Sequence, residues 1–207
     1  MKSFTQSIAL ASFTVVALVA TTAATAARNL STVTYAPGTQ LNGLVIHVAD
    51  GDTLDILLAD KSTVRVRFAD IDAPEVRHGV RKPGQPFAQL AEKFVSKLTA
   101  GKTVNVDVVD TDHRSGRTVG TIFVDGLNVN QAVVDVGLAW AYRSYDPRKG
   151  CFSYRTHDRK VIDLERTAMS NHYVLFQDAE PEYPGIYRAR VEGDGLSAKA
   201  SAKVCAQ

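Results

Sequence analysis

Only two of the 207 residues are cysteine, which excludes a dense disulfide framework and a cysteine-rich zinc module. The five histidines, at positions 47, 78, 113, 157 and 172, lack any paired zinc spacing. Neither charge sign dominates. Lysine and arginine total 24 against 22 aspartates and glutamates, and a formal net charge of +2 is too small to announce a nucleic-acid binder by itself. No internal repeat is present, and the longest apolar run falls short of the roughly 20 residues that a membrane-spanning helix needs. What remains, 45% hydrophobic and 22% charged, is the composition of a soluble globular chain; it excludes a disordered, collagenous or multi-pass membrane protein.

The amino terminus reads as a signal peptide over residues 1–26. Lys2 is followed by no charge until Arg28, Ile8 to Ala20 is largely apolar, and Ala23-Ala24-Thr25-Ala26-Ala27 supplies small residues for cleavage. An exported protein is expected, secreted or periplasmic, with no stable membrane association after processing. Residues 27–41 read as a linker, 42–177 as one domain, and 178–207 as a polar tail, rich in Pro, Gly and Ala and loosely held. In an oxidising compartment Cys151 and Cys205 either bridge and tie down that tail or remain two small unpaired side chains. Asn29-Leu30-Ser31 matches a glycosylation sequon, meaningful only for a eukaryotic source.

Inside the domain the hydrophobic pattern is first of period two. Leu44 to Val48, Thr53 to Leu58 and Thr63 to Ile71 read as strands, joined by turns at Asp50-Gly51 and Asp60-Lys61. Pro86 to Leu98 switches to helical spacing, with Phe87, Leu90, Ala91, Phe94, Val95 and Leu98 on one face and Gly101 as the stop. Thr103 to Val109 and Thr118 to Val124 return to alternation. Two further helices are expected, from Asn128 through Val136 and from Thr156 to Ser170, the latter with a stripe of Val161, Leu164, Ala168 and Met169. This order predicts an α+β fold: a five-stranded Greek-key barrel of the OB type with about three packed helices. Such barrels commonly bind oligonucleotides.

Carboxylates crowd the first hairpin and the end of the third strand, at Asp50, Asp52, Asp70, Asp72 and Glu75. Grouped like charges need neutralising, and a hard cation with oxygen ligands does so. The Asp50-Gly51-Asp52-Thr53 run alone reads as a hairpin turn, since Asp-Gly favours positive φ. An EF-hand reading fails, because a loop starting at Asp50 would place Lys61 where a glutamate is required. Alternation directs Arg67 away from the face shared by Val66 and Phe68; it reads either as an ordinary solvated strand arginine or, in one short segment with Asp72 and Glu75, as a guanidinium suited to a bound phosphate. Arg65 reads as an ordinary solvated arginine. Arg117, in the polar turn from Asp112 through His113, Arg114, Ser115 and Gly116, is a candidate second phosphate clamp. Arg77, His78, Arg81 and Lys82 form a basic loop able to steer a phosphate backbone.

Taken in order, Asp50-Gly51-Asp52-Thr53, Arg67, Ile71-Asp72-Ala73-Pro74-Glu75 and Gly116-Arg117 resemble the thermonuclease (staphylococcal nuclease) family. The likeness continues through Val124-Asp125-Gly126, Val129-Asn130 and Gly137 to Tyr142, covering roughly Leu44 to Phe176. The resemblance implies a calcium-dependent nuclease that cuts DNA and RNA, prefers single-stranded or frayed substrates and leaves 3′-phosphates. It further implies that Asp52, Asp72 and the carbonyl of Ala73 hold calcium, although many members have Thr at the last position. Glu75 would orient or deprotonate the attacking water, and Arg67 and Arg117 would hold the phosphate. Tyr145 and Tyr142 are candidates to stack on a nucleotide or, equally, ordinary packing residues at the barrel edge. The loop before Gly116-Arg117 is one residue longer than in the best-known member. A monomer acting on nucleic acid is expected. The competing expectation is an exported OB-fold module that binds nucleic acid without cutting it; the presence of Asp52, Arg67, Asp72, Glu75 and Arg117 together disfavours it.

Overall fold

The computed structural model describes residues 35–77, 79, 83–112, 115–192 and 197–206. The expected signal peptide, most of the linker, the sequon, His78, Arg81, Lys82, His113 and Arg114 lie outside them. Strand β1 (Gln40–Asp50) turns into β2 (Thr53–Leu57), which turns into β3 (Thr63–Phe68). A short β4 (Ile71–Asp72) precedes helix α1 (Ala88–Thr99). Next come β5 (Thr103–Asp112), β6 (Arg117–Val124), β7 (Leu127–Asn128) and helix α2 (Val129–Asp135). Strands β8 (Trp140–Ala141), β9 (Arg143–Asp146) and β10 (Cys151–Tyr154) lead to helix α3 (Arg159–Ser170). The chain ends with α4 (Pro184–Glu192), α5 (Ser197–Ala200) and β11 (Lys203–Val204).

The main sheet runs β3-β2-β1-β5-β6-β7, and a parallel pairing of β3 with β6 closes it. That closure makes a five-stranded mixed barrel, the OB-type α+β fold expected from the order of elements. Alternation builds its interior: along β6 every second residue is buried, and β3 buries Val64, Val66 and Phe68. Those side chains meet Leu54, Ile56, Val104, Val106 and Ile122 in one apolar core. Removing a large aliphatic side chain from such a core costs about 2–5 kcal/mol.

The structure refines several expectations. The third strand is not continuous to Ile71, because Asp70 adopts a left-handed φ of 65° and redirects the chain. The two residues that follow then pair with β8 instead of β2. Helix α1 buries Ala88, Ala91, Val95 and Thr99, while Phe87 and Leu90 of the expected apolar face point outward. Asn128 caps α2 by accepting from the Gln131 amide at 3.0 Å, and Asp158 caps α3 by accepting from Lys160. The buried Asn130 amide donates to Ala69 and Gly120 carbonyls and accepts from the Ile122 N–H, fastening α2 to the barrel.

Beyond Phe176 the chain departs from the expected loose tail. Tyr183 and Tyr187 are buried, with Tyr183 packing in a second apolar cluster with Trp140, Phe152 and Phe176. The Tyr183 hydroxyl accepts from the Arg143 N–H and donates to the Arg143 carbonyl, and the Tyr187 hydroxyl accepts from the Gly84 N–H. Cys151 and Cys205 form a disulfide, and β11 pairs in parallel with β10 beside it. Polar composition hid this order because a few large rings carry it. Among the described residues no helix is long and apolar enough to cross a membrane.

Candidate active site

The end of β1, the start of β2, the β3–β4 junction and the β5–β6 hairpin open onto one cleft of about 790 Å³. Its position follows from the turn at Gly51. A Cβ there would stand 2.6 Å from the Cβ of Ala91 and 2.8 Å from that of Ala73. Gly51 therefore serves close approach rather than the positive φ that Asp-Gly suggested; it lets the hairpin lie flush against α1 and the segment carrying Asp72 and Glu75.

Arg67 reaches from β3 between two carboxylates, donating from Nη1 to Asp52 Oδ1 at 2.9 Å and from Nη2 to Asp72 Oδ1 at 2.7 Å. Asp52 also accepts from the Thr53 hydroxyl at 3.0 Å and the Ala73 N–H at 2.9 Å, so the first hairpin and the β4 loop are joined through its carboxylate. Asp50 accepts from the Asp52 N–H at 2.9 Å. A second guanidinium enters from α4. Arg188 donates from Nη1 to Asp72 Oδ1 at 3.0 Å, from Nη2 to Asp72 Oδ2 at 2.7 Å, and from Nη1 to Glu75 Oε1.

Burial and charge compete here. Burial pushes the Asp50 carboxyl up to about 8, and the adjacent Asp52 charge adds to it. Burial likewise raises Glu75, with Arg188 offsetting only part. Asp72 is desolvated too, but Arg188 and then Arg67 outweigh burial and hold it below the ordinary carboxylate range. Both guanidiniums stay above their ordinary range, since Asp52 and Asp72 overcome burial at Arg67 and Asp72 does so at Arg188. Even with Asp50 protonated, the carboxylates of Asp52, Asp72 and Glu75 outnumber these two arginines.

Arg117 stands on another wall of the same cleft, where its Nε donates to Ser115 Oγ at 2.7 Å and Nη2 to Asp112 Oδ2 at 2.9 Å. Tyr142 lines the cleft and is partly exposed. Tyr145 belongs to the second cluster instead, packed edge-on against Phe152 with centroids 5.7 Å apart. Arg77 is exposed and donates to the Gly79 carbonyl. Arg65 is paired, not merely solvated: it grips the buried Asp55 on the outer barrel face through bonds of 2.8 and 3.0 Å.

The cleft thus gathers Asp52, Arg67, Asp72, Ala73, Glu75, Arg117 and Tyr142, and adds Arg188, which sequence reasoning missed. The signal for Arg188 was the Tyr183–Tyr187 spacing of four, which marks a buried helix face in the tail. The oxygens of Asp52 and Asp72 and the Ala73 carbonyl have the hard-donor chemistry of a calcium or magnesium site. Among the described residues no three His, Cys, Asp or Glu side chains stand in the arrangement of a metal centre. Arg67 bridges Asp52 to Asp72, and Arg188 bridges Asp72 to Glu75, so guanidiniums lie where a cation would draw the carboxylates together. The donor set fits a hard cation once one guanidinium yields.

Comparison with known proteins agrees with this chemistry. Residues 65–176 match the staphylococcal nuclease homologue family. The protein ParB of Escherichia coli is 37% identical over 158 residues, covering 72% of this chain and 80% of that protein. An uncharacterized endonuclease of Escherichia coli O157:H7 is 34% identical over 151 residues, covering 72% and 86%. A micrococcal nuclease of Shigella flexneri is 32% identical over 155 residues, covering 70% and 79%. Arg188 lies beyond the segment matched to the family.

Proposed function

From the premise that the chain belongs to the staphylococcal nuclease family, and is a phosphodiester-cleaving nuclease of nucleic acid, we propose that it is an exported, calcium-dependent enzyme acting on both DNA and RNA. The observation that carries this reading is the convergence of three arginines and an excess of carboxylates on one cleft. Asp52, Asp72 and the Ala73 carbonyl would hold calcium. Bound there, calcium supplies positive charge against the scissile phosphate.

The chain's own residues account for the rest. Arg67 and Arg117, on different walls of the cleft, grip the phosphate oxygens and stabilise the charge that grows as phosphorus becomes pentacoordinate. Glu75, whose carboxylate burial makes more basic, orients the attacking water and accepts its proton. The water oxygen bonds to phosphorus, the 5′-oxygen leaves and takes up a proton, and a 3′-phosphate remains. Tyr142 offers a face on which a base stacks; such stacking tolerates any base and favours single strands. The leader pattern of residues 1–26 and the Cys151–Cys205 bridge support export to an oxidising compartment, where a weak calcium site suffices. Monomeric action is part of this reading.

The test is hydrolysis of single-stranded DNA and RNA by the purified chain, with millimolar calcium and with a chelator. Cleavage of both substrates that stops with the chelator is the expected result. Cleavage indifferent to the chelator would refute the calcium assignment, and cleavage of one sugar type alone would refute the broad substrate range.

A further inference from the structure

The carboxylates of the cleft are crowded with donors before any ion arrives. Asp72 accepts three N–H groups, one from Arg67 and two from Arg188. Asp52 accepts three donors as well, from Arg67, Thr53 and Ala73. A carboxylate offers about four lone-pair positions, so little room is left on either. A hard cation takes carboxylate oxygens at about 2.3–2.6 Å, often two from one group, and repels a neighbouring guanidinium. One arginine must therefore give way.

Geometry decides which. Arg67 rises from the interior of β3, with Thr53 of β2 opposite it on one side and Val119 of β6 on the other, and its side chain is 17% exposed. Arg188 reaches in from α4 at the open side of the cleft and is 29% exposed, so its side chain can swing into solvent without disturbing a strand. Its helix stays in place because Tyr183 and Tyr187 are buried and the Cys151–Cys205 bridge closes the segment behind it. A tethered cation of this kind competes at a high effective concentration.

We propose that Arg188 is a built-in counter-ion of this nuclease, occupying the cation site until a divalent cation displaces its guanidinium from Asp72 and Glu75, and thereby setting the cation concentration the enzyme requires. The proposal rests on the calcium reading above. It also couples two events, because the movement that vacates Asp72 frees Glu75 to meet water. Nuclease activity then begins where Arg188 lets go.

Isothermal titration of calcium into the full chain tests this, comparing the unaltered protein with Arg188→Gln and Arg188→Lys. Arg190→Gln is the control, since Arg190 sits on the same helix but pairs with Glu182 at the surface. Arg188→Gln should bind calcium at least about tenfold more tightly, because the ion no longer breaks charge-assisted bonds. Arg188→Lys, which keeps the charge but loses the fork, should fall between, and Arg190→Gln should match the unaltered chain. Melting followed against calcium gives a second readout: the Arg188→Gln protein should melt lower without calcium and gain more from it. Equal or weaker calcium binding by both Arg188 variants would overturn the proposal while leaving the calcium reading intact. No binding by any of the proteins at millimolar calcium would overturn both.

Discussion

Replacing Glu165 tests whether the frame behind the cleft depends on a buried ion pair. Glu165 is fully buried and accepts four donors: Arg143 Nη1 at 2.7 Å, Arg143 Nη2 at 2.6 Å, the Ala141 N–H at 2.8 Å and the Tyr154 hydroxyl at 2.6 Å. Arg143 is 2% exposed and stacks over Tyr154 with its guanidinium carbon 4.1 Å from the ring centroid. Glu165→Gln keeps the shape, removes the charge and turns one acceptor into a donor facing other donors. Breaking a buried pair in this way costs about 3–5 kcal/mol. For a chain of this size each kcal/mol moves Tm by about 2–4 °C, so a fall of about 6–20 °C is expected. Urea and thermal unfolding would measure it. Arg143→Met combined with Glu165→Gln should recover part of the loss, since no unpaired charge remains. A single-variant cost under about 1 kcal/mol, or a double variant worse than the sum of the singles, would refute the reasoning. Function should follow stability here, because Ala141 pairs with Ile71 next to Asp72.

Three other outcomes are expected. Glu75→Gln should lower kcat by about 10²–10³ or more if the glutamate meets the reacting water as proposed, while the protein stays folded because its backbone bonds to Gln85 are unaffected. Single-turnover hydrolysis beside a melting curve would check it. Gly51→Ala should cost about 1–3 kcal/mol by overpacking Ala91 and Ala73 and should lower activity with it, read by unfolding and by assay of the soluble fraction. Changing both Cys151 and Cys205 to Ser opens a link spanning 54 residues and should cost about 4 kcal/mol of unfolding free energy, measured in urea with and without reductant.

The barrel was legible in the sequence because a closed sheet packed on one face imposes alternation, which β6 obeys throughout, β3 from Val64 onward and β5 as far as Val108. The acidic run was legible because like charges seldom gather without purpose. Helix faces were read less well. On α3 the buried line is Val161, Glu165 and Ala168, so a charged residue occupies the centre of the apolar stripe. No hydrophobicity pattern places a glutamate there; only its partner Arg143, 22 residues earlier, explains it. On α1 the inward line is Ala88, Ala91, Val95 and Thr99, with the small Ala91 where Gly51 presses close, while the bulkier Phe87 and Leu90 stay outside. Arg188 was illegible for a plainer reason: it meets Glu75 from 113 residues away, in a segment whose average composition is polar.

The placement of Arg188 answers a physical difficulty built into any site of this type. Carboxylates gathered for a cation repel one another while the cation is absent, and desolvation makes the repulsion worse. A chain that folds first and meets its ion afterwards needs some other positive charge in the interval. Arg67 bonds Asp52 and Asp72, whereas the Glu75 carboxylate is paired by Arg188. A guanidinium on a disulfide-closed helix supplies that charge from outside the barrel. Stability without the ion and affinity for it are then opposed through one side chain. A variant that gains on one should lose on the other, which separates an exchangeable counter-ion from an arginine that merely braces the fold.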